Sequence, residues 1–274
     1  MAAPLLVFFL SACLLLSVCL QKCNQYTMFR LALISVARTE TMPTTTSAMS
    51  KNRPHCYAYP HPAVTTDVVL FTIRNDVLQL LLIRRGRPPF KDCWALPGGF
   101  LDIEEDLDHC AARELEEETG VSALYLEQLC TFGAVGRDPR ERVISIAYFA
   151  LAPSQHLTLK AGDDAADARW FSFSELPALA FDHAEIIRIA HQRLIAKLDY
   201  STIAFQFLPE TFTLGELQRV YEILVDVAID KRNFRKWALA LQQIEETGEL
   251  RRTGSHRPAR VYRMTERGRV AYLK

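Results

Sequence analysis

The 274-residue sequence has no Cys-x-x-Cys pair among its seven cysteines, no evident internal repeat and no net charge. The first absence, with an odd cysteine count, excludes a disulfide framework and points to reduced, structural thiols in a reducing compartment. The second excludes a stacked-repeat architecture. The neutral total is uneven. From Ile229 to the end there are 12 Lys/Arg against 5 Asp/Glu, or +7, and the remainder holds 20 against 27, or −7. An acidic body precedes a basic C-terminal part, which suggests a polyanion partner for the latter.

Charge is also missing at the start. Residues 1–21 carry no charged side chain, and Pro4 to Leu20 is almost wholly apolar. Taken literally this is a signal-peptide core or a short membrane anchor. A secretory segment would normally carry Lys or Arg ahead of its apolar run, and none is present. Met28, Met42 and Met49 offer alternative starts. The preferred reading is that residues 1–48 are a disposable or mis-started extension, and that the protein is cytoplasmic without a membrane partner. The remaining composition, 49% hydrophobic and 23% charged overall, fits one large or two modest globular domains.

From Asp67 to Ile73 the chain reads as a buried strand. Arg74-Asn75-Asp76 supplies turn chemistry, and Val77 to Ile83 returns as a second strand. A basic loop, Arg84 to Pro89, leads to a short strand, Trp94 to Gly99. A helix is expected from near Asp106, ending at Gly120. Strands follow at Leu124–Phe132, Val143–Leu151 and Arg169–Phe173, with loops between them, and a closing helix at His183–Leu198. Asp163, Asp164 and Asp167 are assigned to a loop. This order fits an α/β/α sandwich over residues 60–200.

Within it, Gly98 to Val121 concentrates the chemistry. Glu114, Glu117 and Glu118 fall on one helical arc, because positions i, i+3 and i+4 share a face. Three carboxylates on one face suit a hard cation, Mg²⁺ or Mn²⁺; the bland alternative is a solvated acidic helix. The stretch resembles the Nudix box, G-x5-E-x7-R-E-U-x-E-E-x-G-U with U aliphatic. Gly99, Glu105, Arg113, Glu114, Leu115, Glu117, Glu118, Gly120 and Val121 occupy its fixed positions. The resemblance implies the Nudix fold and hydrolysis of a diphosphate bridge. It makes Glu114 and Glu118 the main metal ligands, with Glu117 direct or through water and the Gly98 carbonyl contributing. Arg113 would orient Glu114, and Glu105 would support the metal shell. The base that activates water stays open between the box and the loop aspartates. Arg84, Arg85 and Arg137 are candidate phosphate contacts, since guanidinium offers a bidentate fork. Trp94, Trp170 and Phe132 are possible stacking partners for a base, although both tryptophans sit on apolar strands.

After a Pro-containing joint at Phe205–Glu210, Thr213-x-x-Glu216 forms a capping-box pattern opening a helix to about Ala228. Asp230 caps a second helix expected to run to about Glu246 and stop at Thr247-Gly248. A strand at Glu249–Arg252, a loop and a strand at Arg260–Met264 complete a winged-helix pattern over residues 205–274. Lys231, Arg232, Asn233, Arg235 and Lys236 stand where a recognition helix meets double-stranded DNA, with His256, Arg257 and Arg260 at the wing. The alternative is a basic cap or dimerisation element. A Nudix domain followed by such a tail resembles the Nudix-related transcriptional regulators (NrtR-like). Phe132-Gly133, Arg137 to Arg140 and Val143 to Tyr148 are similar to that family and to its ADP-ribose pyrophosphatase relatives. The resemblance implies ADP-ribose or a similar nucleotide as ligand, a homodimer and control of NAD metabolism. Two readings follow: a metal-dependent hydrolase that also regulates transcription, or a repressor that senses ADP-ribose without cutting it.

Overall fold

In the computed structural model, the described residues are 57–274 except 123–124, 155–156, 158–164, 253–257, 267–269 and 273–274. The leader, Asp163, Asp164, His256 and Arg257 lie outside them. Strands β1 (Ala63–Arg74) and β2 (Val77–Arg85) form the expected hairpin, closed by left-handed Asn75 and Asp76. β3 (Trp94–Ala95), β4 (Gly98–Phe100), helix α1 (Leu107–Thr119), β5 (Tyr125–Phe132), β6 (Val143–Leu151), β7 (Ala165–Ser172) and helix α2 (His183–Leu198) follow. The sheet order is β3-β2-β1-β6-β5, with β4 also paired to β1 and β7 to β2. β1 and β6 are parallel, and the other pairings are antiparallel.

Side-chain alternation along the strands produces the layers. Val68 and Leu70 of β1, Ile146 and Tyr148 of β6, and Leu81 of β2 pack against Ala111 and Leu115 of α1. Val69, Phe71, Ala147, Phe149, Leu80 and Leu82 point the other way, onto Ile186, Ile187, Ala190 and Leu194 of α2. The sheet lies between two helices, as its strand order suggests. Three local expectations are corrected. The Trp94–Gly99 strand is split at Leu96-Pro97, its halves pairing with β2 and β1 respectively. Asp167 is not in a loop: it pairs with Arg84 across β7 and β2, and its carboxylate meets Arg169 at 2.6 Å. The joint at Phe205 is a 3₁₀ turn, Ile203–Phe207, with every residue buried.

Beyond this turn come β8 (Thr211–Thr213), α3 (Leu214–Val225), α4 (Lys231–Ala240), β9 (Ile244–Arg251) and β10 (Ala259–Met264). The Thr213–Glu216 capping box is formed in both directions. α3 stops at Val225, where Asp226 turns left-handed, short of Ala228. α4 ends at Ala240 rather than near Glu246. Residues from Ile244 pair with β10, and Glu245 and Glu246 bind Arg263 and Arg260 across the strands. Cross-strand pairing outweighs the helix propensity of the glutamates. β8, β10 and β9 make the three-stranded wing sheet. Phe205, Phe212, Leu217, Val220, Phe234 and Tyr262 join the core beneath α2, so one apolar core runs through both parts.

Candidate functional site

Asp106 starts α1, and Gly120 ends it in the left-handed region at φ 71, its N–H bonding Glu116 O at 2.7 Å. Leu115 and Ala111 hold the apolar side of the helix against the sheet, which turns Glu114 and Glu118 toward the Gly98-Gly99 strand. A Cβ on Gly99 would overlap the Glu114 carboxylate, so glycine here lets that carboxylate lie where it does, and any larger residue would displace it. Gly98 N–H donates to Glu118 Oε2 at 2.8 Å. A cavity of about 470 Å³ opens in front of this pair, with Arg85, Arg137, Arg140 and Asp67 among its lining residues.

Arg113 organises the acidic helix. Its Nε and Nη2 donate to both oxygens of Glu105, each at 2.8 Å, while Nη1 donates to Glu114 Oε1 at 2.8 Å and Glu117 Oε2 at 3.0 Å. The paired guanidinium pulls the Glu105 carboxyl down to about 2. Burial pushes Glu118 up to about 8, and the nearby charges of Glu114 and Asp67 add to this. Burial also raises Glu114, against the pull of Arg113.

The helical arc therefore predicts the position of Glu117 but not its direction. Glu114 and Glu118 line the cavity, whereas Glu117 is turned onto Arg113 and is absent from the lining. Glu105 likewise faces Arg113. Among the described residues, no three carboxylate, imidazole or thiolate groups already surround one point. The donor set still fits a hard divalent cation. Of two adjacent carboxylates, Glu114 shares Arg113 with Glu105 and Glu117, and Glu118, raised by burial and further by Glu114, is held by Gly98 N–H; such ions commonly take one or two carboxylates with water and substrate phosphate completing the shell.

The three arginines separate. Arg84 and Arg85 are adjacent on β2, so their side chains leave opposite faces. Arg85 lines the cavity with its guanidinium 4.8 Å from the Phe181 ring centre. Arg84 is not among the cavity residues and pairs with Asp92 at 3.4 Å. Arg137 lines the cavity but is buried and committed, with Nε and Nη2 donating to Asp182 at 2.9 and 2.6 Å and Nη2 also to Asp67 at 3.4 Å. These carboxylates raise its pKa despite burial.

Sequence reading misses the rest of this floor. Asp67 also accepts from Ser145 Oγ, and Asp67 Oδ1 lies 3.5 Å from His183 Nε2. Leu96 N–H donates to His183 Nδ1 at 2.9 Å, which places the imidazole proton on Nε2. Burial lowers the His183 pKa, keeping the ring neutral. Asp138 holds Arg140 through Nε and Nη2, at 3.0 and 2.7 Å. One signal was available: Asp67 is the one carboxylate of a buried strand, and such a charge requires partners. Trp94 and Trp170 are partly buried against the strand layers, and neither tryptophan nor Phe132 lines the cavity.

In the second part, Lys231, Arg232, Asn233, Arg235 and Lys236 are exposed on α4, and Phe234 and Ala238 anchor its inner face. Asp230 Oδ1 accepts from Asn233 N at 2.8 Å and fixes the start of the helix. Lys231 and Arg235 meet Arg260 across a concave surface between α4 and the wing; Arg232, Asn233 and Lys236 lie outside it. No helix among the described residues is long and apolar enough to cross a membrane. Two domain families match: the NUDIX domain over residues 63–190 and the NrtR DNA-binding winged helix domain over residues 204–264. The ADPR responsive transcriptional repressor NtrR of Acinetobacter baylyi is 38% identical over 213 residues, covering 75% of this chain and 83% of that one. An ADP-ribose pyrophosphatase of Methanocaldococcus jannaschii is 43% identical over 130 residues, covering 47% and 73%. Shewanella oneidensis NrtR, solved with a 27mer DNA, superposes with a TM-score of 0.67 at 37% identity, covering 74% of this chain and 93% of that structure. The chain therefore belongs to the NrtR family, in which a Nudix domain is followed by a DNA-binding winged helix.

Proposed function

We propose that the protein hydrolyses the diphosphate bridge of ADP-ribose, or of a related nucleoside diphosphate derivative, and also binds double-stranded DNA as a regulator of NAD metabolism. Water adds across the P–O–P bridge, so ADP-ribose gives AMP and ribose 5-phosphate. The observation that carries this reading is the Glu114–Glu118 pair at the cavity, with Arg113 orienting Glu114 and Gly99 leaving room for it. Glu114, Glu118 and the Gly98 carbonyl would hold Mg²⁺ or Mn²⁺, which neutralises diphosphate charge and lowers the pKa of water. Arg85 lines the same cavity and suits the phosphates, with Arg137 and Arg140 beside it, each already paired with a carboxylate.

DNA binding is assigned to Lys231, Arg235 and Arg260 facing the duplex across the concave surface, flanked by the exposed Arg232, Asn233 and Lys236. Arg257 belongs to the same wing by sequence. In this reading residues 60–200 are the catalytic part, 205–274 the DNA-binding part and 1–48 an extension. The protein is a cytoplasmic homodimer.

A second reading, a repressor that senses ADP-ribose without cutting it, is favoured by the orientation of Glu117, held by Arg113 away from the cavity. One variant separates the two. Glu118→Gln retains an acceptor for Gly98 N–H but removes the charge. Metal-dependent AMP release is expected to disappear while the thermal melting profile persists. AMP release that survives in Glu118→Gln would remove the metal assignment, and its absence from the wild type with Mg²⁺ or Mn²⁺ would leave the sensor.

A further inference from the structure

Helix α2 touches the cavity at one end and the winged helix at the other. At its start, Asp182 holds Arg137, and His183 accepts from Leu96 N–H; Arg137 and His183 both line the cavity. Its 16 residues extend for about 24 Å, at about 1.5 Å per residue. Ile186, Ile187, Ala190 and Leu194 are wholly or almost wholly buried, so the helix is seated in the core along its length.

At the far end, the buried Lys197 ammonium binds Glu127, lies 3.3 Å from Tyr125 OH and faces the Tyr272 ring at 5.5 Å. Ser201 Oγ donates to Lys197 O at 2.6 Å. The next residue clasps the end of the chain: Thr202 N–H donates to Ala271 O at 3.0 Å, and Ala271 N–H donates to Thr202 Oγ1 at 2.9 Å. Tyr272 stacks parallel to Tyr200, with ring centres 6.2 Å apart. The winged helix begins directly after this turn, with the buried Ile203–Phe207 segment, and its tail returns to the same turn. Its entry and exit are both anchored to the last turn of α2.

We propose that α2 couples occupancy of the nucleotide cavity to DNA affinity, with the Arg137–Asp182 pair as its ligand-side contact and the Thr202–Ala271–Tyr272 clasp as its winged-helix contact. This rests on the ADP-ribose-responsive reading above. An anionic phosphate entering the cavity competes with Asp182 for a guanidinium already shared between two carboxylates. Loss of that hold lets the start of α2 shift, and a packed helix transmits small displacements along its axis as a unit. The far turn carries both ends of the winged helix and changes its presentation to DNA. Linkage requires the reciprocal effect: DNA must weaken nucleotide binding by the same factor.

The test uses the full chain, DNA from upstream of its own gene and α,β-methylene ADP-ribose with Mg²⁺, since this analogue keeps the phosphates but lacks the cleavable bridge. Affinities for DNA, with and without saturating analogue, are measured for wild type, Tyr272→Ala and Thr202→Val. Tyr272 is largely exposed, so its truncation leaves the core intact. Thr202→Val removes only the acceptor for Ala271 N–H. The analogue is expected to weaken wild-type DNA binding about tenfold, within the usual range for coupled sites. In both variants each ligand alone should bind within about twofold of wild type, with the analogue's effect on DNA binding reduced to under about threefold. An undiminished analogue effect in the variants overturns the coupling role of α2. If wild-type DNA affinity ignores the analogue, the ADP-ribose-responsive reading itself fails, and this inference with it.

Discussion

Arg113 binds three carboxylates at once, and this is the clearest consequence of single residues in the site. Its planar fork meets both oxygens of Glu105 with Nε and Nη2, leaving Nη1 for Glu114 and Glu117. A lysine retains the charge but cannot satisfy these directions together. Arg113→Lys is therefore expected to reduce metal-dependent turnover by roughly 10–100-fold, the usual effect of disturbing a group that orients a metal ligand. Steady-state hydrolysis assays against metal concentration check this, and unchanged turnover would reduce Arg113 to a purely structural residue. The box was legible because its parts are local: Arg113, Glu114, Glu117 and Glu118 sit within six consecutive positions, and helical geometry relates them. Asp67, Arg137, Asp182 and His183 come from three distant stretches, so spacing carries no sign that they meet. The direction of Glu117 was illegible for another reason, since a helical wheel fixes Cβ but not which neighbour a flexible carboxylate chooses.

At the scale of elements, the junction of α2 with the Leu96 loop depends on a neutral imidazole. His183 Nδ1 accepts from Leu96 N–H, and burial lowers its pKa. An unfolded histidine titrates near about 6.5, so below that pH the unfolded chain binds a proton that the native chain refuses. The contribution of this group to stability is complete above the unfolded value and is lost as pH falls from it toward the folded one. Glu118, raised to about 8, acts with the opposite sign between the usual carboxylate range and that value, so the comparison must be made between variants. His183→Asn keeps an acceptor at the δ position but cannot titrate. Unfolding free energies from denaturant titrations should fall more for wild type than for His183→Asn between about pH 7.5 and about pH 5.5, by at most about 1.4 kcal/mol per pH unit. Equal falls would mean that His183 takes up its proton in the fold as readily as in the unfolded chain. Most elements were legible from apolar runs and turn residues, α2 to the residue. The errors gathered where pairing with distant strands decides, as at Glu245 and Glu246, whose helix propensity gives way to β10.

Across the whole molecule, the neutral sum divides into an acidic Nudix part and a basic winged helix, the part that matches a DNA-binding domain. Arg235 lines the concave face between α4 and the wing, and Lys236 is exposed beside it. Arg235→Ala with Lys236→Ala should weaken DNA binding and flatten its salt dependence by about 0.9 in logarithmic slope for each phosphate no longer neutralised. Gel shifts across a salt series would show this, and an unchanged slope would move the interface off α4. The order of domains was legible from charge and caps, but their shared core was not, because nothing in sequence says that Phe205 and Phe212 pack beneath α2. That sharing bears on how the protein is divided for study. The Nudix match stops at residue 190 and the winged-helix match starts at 204, yet the 3₁₀ turn Ile203–Phe207 is buried at all five positions. A shortened gene ending near residue 200 would strip this apolar plug from beneath α2 and leave a sticky, poorly behaved product. A stop codon placed after Leu208 keeps the plug with the half it seals.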